Sequence, residues 1–218
     1  MLKAVIFDMD GLMIDSERVT YEGYVKECGK YGYTMDLAFY RQVLGLPLKP
    51  VYQMFYNHFG NDFPMDEIIK NVHQYMADLF KEEGVPIKKG LIELLEYLKE
   101  RGYKTMVATS SNRDRVDVIL KDSGIEKYFD DSICGDEIAK GKPHPDVFLK
   151  ACKKLGVLPE EALVLEDSEA GIQAAYDGHI KVICVPDMKY PRQEYQEKTY
   201  AIVDSLEDVT QIIKTQKL

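Results

Sequence analysis

One short apolar run, Ala4-Val5-Ile6-Phe7, opens the chain; nothing strand-like follows until Tyr103, and from there strands and helices alternate to the end. The opening run is rich in β-favouring side chains and too short for a helix. The block that separates it from the later series reads as helix throughout: Ser16 to Gly32, Asp36 to Leu44, Pro50 to Phe59 and Met65 to Glu83. After Gly84 the pattern predicts helix over Leu91–Arg101, Arg113–Lys121, Asp146–Leu155, Glu169–Tyr176 and Ser205–Thr215. Strands are predicted at Tyr103–Ala108, Ser132–Cys134, Ala162–Leu165, Ile180–Val185 and Tyr200–Val203. Such alternation favours an α/β fold with a doubly wound, mostly parallel sheet. The helical block then becomes an insertion, with residues 1–16 and 84–218 forming one domain and 17–83 the other. The junctions near Asp15–Glu17 and Gly84–Lys89 are expected to be hinges, and Gly84, Pro86 and Gly90 suit one.

The first strand delivers Asp8 and Asp10 to its carboxyl end, followed at once by Gly11. Ligand sites of open α/β sheets lie outside the carboxyl ends of strands. Side chains alternate along extended backbone, so the two carboxylates can lean the same way, and like charges held that close need a cation or a proton between them. Alone, an Asp-x-Asp pair is as often a cap or a solvated surface feature. Three further segments shift the balance. Thr109-Ser110-Ser111-Asn112 precedes a helix and reads either as its cap or as a phosphate cradle of hydroxyls and backbone N–H groups. Gly141-Lys142-Pro143-His144-Pro145 is stiffened by two prolines, which aims Lys142 as a fixed point charge and leaves His144 a surface residue. Glu166-Asp167-Ser168 follows the third strand end; Asp167 or Ser168 would cap the next helix. Yet the adjacent Glu166 and Asp167 bring the carboxylate cluster to four. A cluster of that charge is costly unless a hard dication neutralises it, and oxygen-only ligation suits magnesium.

In this order and at these strand ends, Asp8-Met9-Asp10-Gly11, Thr109, Lys142-Pro143 and Glu166-Asp167 resemble the four motifs of the haloacid dehalogenase superfamily of phosphotransferases. The segment Glu166-Asp167-Ser168-Glu169-Ala170-Gly171 is similar to that of its β-phosphoglucomutase and sugar-phosphate phosphatase subgroup. The resemblance implies a Rossmann-like core with an inserted helical cap, and a Mg²⁺-dependent reaction on a small phosphorylated metabolite. Asp8 would be the nucleophile, and Asp10 the acid and base, with a carboxyl pKa raised by its neighbours. Thr109, Ser110, Ser111 and Lys142 would hold the phosphoryl group. Asp8, Asp10 through its backbone carbonyl, Asp167 and Glu166 are the expected metal ligands.

Three functions follow in order: a phosphatase, a β-phosphoglucomutase-type mutase, and a non-catalytic binder of phosphorylated metabolites. The complete motif set weighs against the binder. Mutases of the subgroup carry a histidine on the first cap helix and an arginine after a cap glycine. Here those stretches read Arg18-Val19-Thr20-Tyr21 and Gly45-Leu46-Pro47-Leu48-Lys49. Thr20 and Lys49 are thus the candidate cap residues for substrate, and neither supplies what a mutase uses. The cap aromatics, His58 and His73 read as packing or surface residues.

Composition narrows the partners. Of 218 residues 45% are hydrophobic and 30% charged, and the net charge of −9 opposes nonspecific binding to nucleic acid or anionic membrane. No signal peptide or membrane-spanning run is read. Cys28, Cys134, Cys152 and Cys184 lack metal spacing and are expected as reduced, buried thiols of a cytoplasmic protein. A monomer is expected.

Overall fold

The computed structural model describes residues 1–46 and 48–215. Its strands are β1 (Ala4–Phe7), β2 (Lys104–Ala108), β3 (Asp131–Ile133), β4 (Ala162–Glu166), β5 (Lys181–Cys184) and β6 (Ala201–Ile202). They form one six-stranded sheet in the order β3-β2-β1-β4-β5-β6, with every adjoining pair parallel. The chain builds outward from β1 to β3, then crosses back and builds outward from β4 to β6. The order therefore reverses between β1 and β4, and in a doubly wound sheet the crevice opens at that reversal.

The chain divides into two compact units, one of Met1–Asp15 with Val85–Leu218 and one of Ser16–Gly84. The second unit contains α1 (Ser16–Lys30), α2 (Leu37–Val43), α3 (Leu48–Phe59) and α4 (Met65–Glu83). Asp36 caps α2 by accepting from Phe39 N at 2.8 Å. The aromatics of this unit pack on one another around fully buried Phe55, which lies 5.3 Å from Tyr24, 5.2 Å from Phe39 and 5.6 Å from Phe63 between ring centres. His58 stacks on Phe39 at 4.0 Å, and His73 is exposed. These rings make the small unit's core, as their helical spacing suggests.

The sheet's own unit adds α5 (Leu91–Glu100), α6 (Arg113–Asp122), α7 (Asp146–Leu155), α8 (Glu169–Asp177), α9 (Gln193–Gln196) and α10 (Leu206–Lys214). All four residues of β1 are sealed from solvent. That is why the strand reads as an unbroken apolar run, since helices cover both faces of a parallel sheet. Ala4 and Ile6 share a core with Met106, Val164, Phe148 and Ile172, which joins the strands to α7 and α8. Val5 and Phe7 point the other way, and Phe7 meets the edge of Phe129 at 5.6 Å.

Several local features differ from the pattern read in the sequence. The short α9 and three single-turn 3₁₀ segments, Glu126–Tyr128, Gly135–Glu137 and Pro159–Glu161, are too brief to show periodicity. Strand β4 runs one residue further than predicted, through Glu166. Helix α3 begins at Leu48, so Lys49 lies in its first turn as an exposed side chain rather than in a loop. Pro47, within the same candidate stretch, lies outside the described residues. The four cysteines are free and buried. Among the described residues no helix is long and apolar enough to cross a membrane.

The two crossings of the chain at the edge of the sheet unit are tied together. Asp15 N donates to Pro86 O at 2.8 Å and Lys88 N to Met13 O at 2.9 Å, flanking a bridge between Ile14 and Ile87. The Lys88 ammonium also donates to Asp187 at 2.5 Å.

Candidate active site

Sheet register sets the site. Phe7 pairs with Val107 on one side and Leu165 on the other, so Asp8 emerges level with Ala108 and Glu166. Asp8 N donates to Leu165 O at 3.0 Å, which continues the ladder one residue past the strand. The chain then turns at Gly11, whose φ of +84° favours glycine. A side chain there would also collide with Asp167, since a Cβ would fall 2.3 Å from its carboxylate.

Lys142 lies at the centre. Its side chain is only 6% exposed, and the ammonium donates to Asp8 Oδ1, to Glu166 Oε1 at 2.6 Å and to the Ala108 carbonyl at 3.2 Å. Beneath it, the buried Phe148 ring centre lies 4.8 Å away. The turn that delivers it contains a cis Lys142–Pro143 peptide bond, and His144 beside it is exposed. Burial alone lowers the lysine's pKa, but the carboxylates of Asp8 and Glu166 outweigh it and hold the ammonium above its ordinary value. For Asp8 burial dominates and pushes the carboxyl up to about 7; Lys142 pulls it back, while Glu166 and Asp10 push it further up. One cation shared between two buried carboxylates leaves excess negative charge, and Asp8 carries the strain.

Glu166 is completely buried, and both its oxygens are engaged. Oε1 accepts from Lys142, while Oε2 accepts from Asp167 N at 3.0 Å, Ser168 N at 2.9 Å and Ser168 Oγ at 2.9 Å. The sequence reading puts Glu166 among the metal ligands; its geometry makes it first the partner that fixes Lys142 and shapes the turn after β4. Gly171, in the first turn of α8, leaves room for that carboxylate, because a Cβ there would sit 1.8 Å from it.

Among the strand-end polar residues the helix caps fall to Asn112 and Ser168. Asn112 caps α6 by accepting from Arg115 N at 3.0 Å, and Ser168 caps α8 by accepting from Gly171 N at 3.1 Å. Neither Thr109 nor Asp167 is the N-cap residue of these two helices. Thr109 is buried, and its hydroxyl oxygen accepts from Ser111 N at 3.1 Å. Ser110 is exposed, with its backbone packed against Gly135. Ser111, expected to hold phosphate, instead donates its hydroxyl to Asp10 Oδ2 at 2.7 Å. The other Asp10 oxygen accepts from Arg115 Nη2 at 2.6 Å. Arg115 was not visible as a site residue in the sequence; the one available cue is its place three residues after a cap candidate, in the first turn of a helix at a strand end.

Asp8, Glu166 and Asp167 each offer an oxygen within 4.8 Å of the others. Three carboxylates against one ammonium leave two formal negative charges, which a hard dication would balance with oxygen ligands alone. The donor set fits magnesium. Thr20 and Lys49 belong to the helical unit. The Thr20 hydroxyl donates to Ser16 O at 2.8 Å and to Met76 Sδ at 3.1 Å, the contacts of a helix-packing residue.

A model of haloacid dehalogenase-like hydrolases matches residues 5–185. A phosphorylated carbohydrates phosphatase of Thermotoga maritima is 32% identical over 209 residues, 95% of this chain and 88% of that protein. A validoxylamine A 7'-phosphate phosphatase of Streptomyces hygroscopicus subsp. limoneus is 32% identical over 80% of this chain and 81% of its own. Among solved structures, a putative β-phosphoglucomutase from Thermotoga maritima superposes with a TM-score of 0.82 at 29% identity, covering 100% of both chains.

Proposed function

The chain belongs to the haloacid dehalogenase-like hydrolase family and is a phosphoric monoester hydrolase, and on that footing we propose that it is a magnesium-dependent phosphatase of a small sugar or polyol phosphate. The observation that carries the reading is the convergence of Asp8, Asp167 and the Lys142–Glu166 pair at the reversal of strand order. Asp8 attacks phosphorus in line with the leaving oxygen and becomes an aspartyl phosphate. Asp10 gives a proton to the departing alcohol and takes one from the water that hydrolyses the intermediate. Lys142 and Thr109, with backbone N–H groups of the loop after β2, hold the equatorial oxygens where charge concentrates during transfer. Asp8, Asp167 and the Asp10 backbone carbonyl would hold magnesium, which would supply neutralisation of the negative charge gathered there. Glu166 keeps Lys142 aimed. The helical unit of 17–83 acts as the cap that selects the substrate.

A relative named as a phosphatase of phosphorylated carbohydrates supports the sugar or polyol class. The structural likeness to a putative β-phosphoglucomutase keeps the mutase as the rival. A mutase must shield its aspartyl phosphate from water until a sugar arrives. Thr20 has its hydroxyl engaged within the helical unit, and Lys49 offers a point charge without the bidentate fork of arginine. The expected result is therefore release of inorganic phosphate from a panel of sugar and polyol phosphates in magnesium. Conversion of β-glucose 1-phosphate to glucose 6-phosphate should be poor even with the bisphosphate primer. Fast isomerisation with negligible phosphate release would make the protein a mutase.

Metal binding has its own readout. Saturating magnesium should raise the Tm by roughly 3–10 °C through preferential binding to the folded state. In Asp167→Asn that increment should vanish while the metal-free Tm changes little. An undiminished increment in the variant would remove Asp167 from the ligand set.

A further inference from the structure

We propose that Arg115 is a positioning residue for Asp10: with Ser111 it grips both oxygens of that carboxylate and keeps it out of the metal cluster, reserved for proton transfer. The proposal rests on the phosphatase reading for its meaning, and on geometry for its existence. Asp10 stands two residues beyond Asp8 at the end of β1, yet among the described residues the carboxylates grouped closely enough to share a metal ion are Asp8, Glu166 and Asp167. Arg115 Nη2 donates to Asp10 Oδ1 at 2.6 Å and Ser111 Oγ to Oδ2 at 2.7 Å, so two donors from one loop-and-helix segment fix the carboxylate plane. That segment is itself fixed. Asn112 Oδ1 accepts from the Arg115 backbone N–H at 3.0 Å, and Thr109 Oγ1 accepts from Ser111 N at 3.1 Å. A hydroxyl and a guanidinium anchored at both ends by the start of α6 therefore determine where the proton carrier points.

The physical need is plain. A carboxylate with two free torsions beside a dication would swing onto the metal, where it could no longer meet a leaving oxygen. A charge-assisted pair with a planar guanidinium opposes that swing more firmly than a lone hydroxyl does. The Arg115 side chain is 34% exposed, so its worth lies in geometry rather than in stability.

The test compares wild type, Arg115→Ala, Arg115→Lys and Asp10→Asn on two probes, 4-nitrophenyl phosphate and glycerol 3-phosphate. The aryl leaving group departs without help, whereas the alkyl alcohol needs a proton. Arg115→Ala should lower kcat on the alkyl ester roughly 10²-fold, with a several-fold smaller loss on the aryl ester and KM little changed. Arg115→Lys should recover part of the loss. The double variant Asp10→Asn/Arg115→Ala should be no slower than Asp10→Asn, because the arginine acts only through Asp10. Equal losses on both probes, or losses that multiply in the double variant with a raised KM, would make Arg115 a substrate contact and overturn the proposal. A crystal structure of Arg115→Ala with magnesium tests the placement without any turnover. The Asp10 carboxylate should leave Ser111 or occupy more than one conformer; an unmoved carboxylate refutes the proposal even if wild type proves to hydrolyse neither probe, an outcome that would instead refute the phosphatase reading.

Discussion

Replacing Asp8 by asparagine is expected to bring magnesium-dependent turnover down to background, a loss of roughly 10⁴ or more. The substitution keeps the shape of the side chain and removes the nucleophilic oxygen, so no other group in the cluster can take the phosphoryl group from the same position. Folding should survive. Asp8 already has its carboxyl pushed up to about 7 by burial, with Lys142 opposing, so a neutral isostere at this position relieves desolvation rather than adding to it. Mass analysis after acid quench should find a phosphorylated Asp8 in wild type and none in Asp8→Asn. Turnover by the variant at more than about one per cent of wild type would end the covalent mechanism.

Lys142→Met should have the second largest effect, and it should act on both stability and rate. Removing the ammonium leaves Asp8 and Glu166 facing each other, the latter with no exposure at all. Breaking a buried pair in this way costs about 3–5 kcal/mol, measured by urea unfolding in the presence of a chelator. Adding Glu166→Gln should recover much of that stability, because the uncompensated charge is then gone, but none of the activity. Loss of the cation proposed to hold the equatorial oxygens should cost roughly 10²–10³ in kcat. If the double variant were as unstable as the single one, the cost would lie in packing on Phe148 and the cis turn rather than in charge.

The sheet was legible in the sequence because its strands are buried on both faces. Ala4–Phe7 and Ala162–Leu165 are continuous apolar runs, each followed by an acidic residue that marks where the strand ends. The helical block was legible for a different reason, as α4 matches its predicted range from Met65 to Glu83 through regular apolar spacing. What could not be read is pairing across distance. Glu166 reads as a strand-end carboxylate, and nothing local shows that Lys142, arriving from another turn, takes one of its oxygens. Arg115 was hidden by its neighbours: Arg113-Asp114-Arg115 reads as the solvated face of a short helix. Only the fold shows that the third of these turns towards Asp10, while Arg113 is occupied with Ser132 and Glu137. That the Ser111 hydroxyl turns to Asp10 is equally unreadable, because a side chain's direction within a tight loop leaves no trace in residue type.

The bonds from Asp15 to Pro86 and from Lys88 to Met13 have a consequence for how such a chain can change over generations. The helical excursion leaves the sheet unit and re-enters it at adjoining points, so to the polymer it is a loop pinched shut at its base. The entropy of closing such a loop grows only with the logarithm of its length, about 0.6 kcal/mol for each doubling. Helices between Ser16 and Gly84 can therefore be lengthened, trimmed or exchanged at almost no cost to the strands that present Asp8 and Asp167 or to the turn that presents Lys142. A lineage built this way can rewrite one stretch of sequence under new selection while the other stays under the old, and a designer can graft at the same two joints.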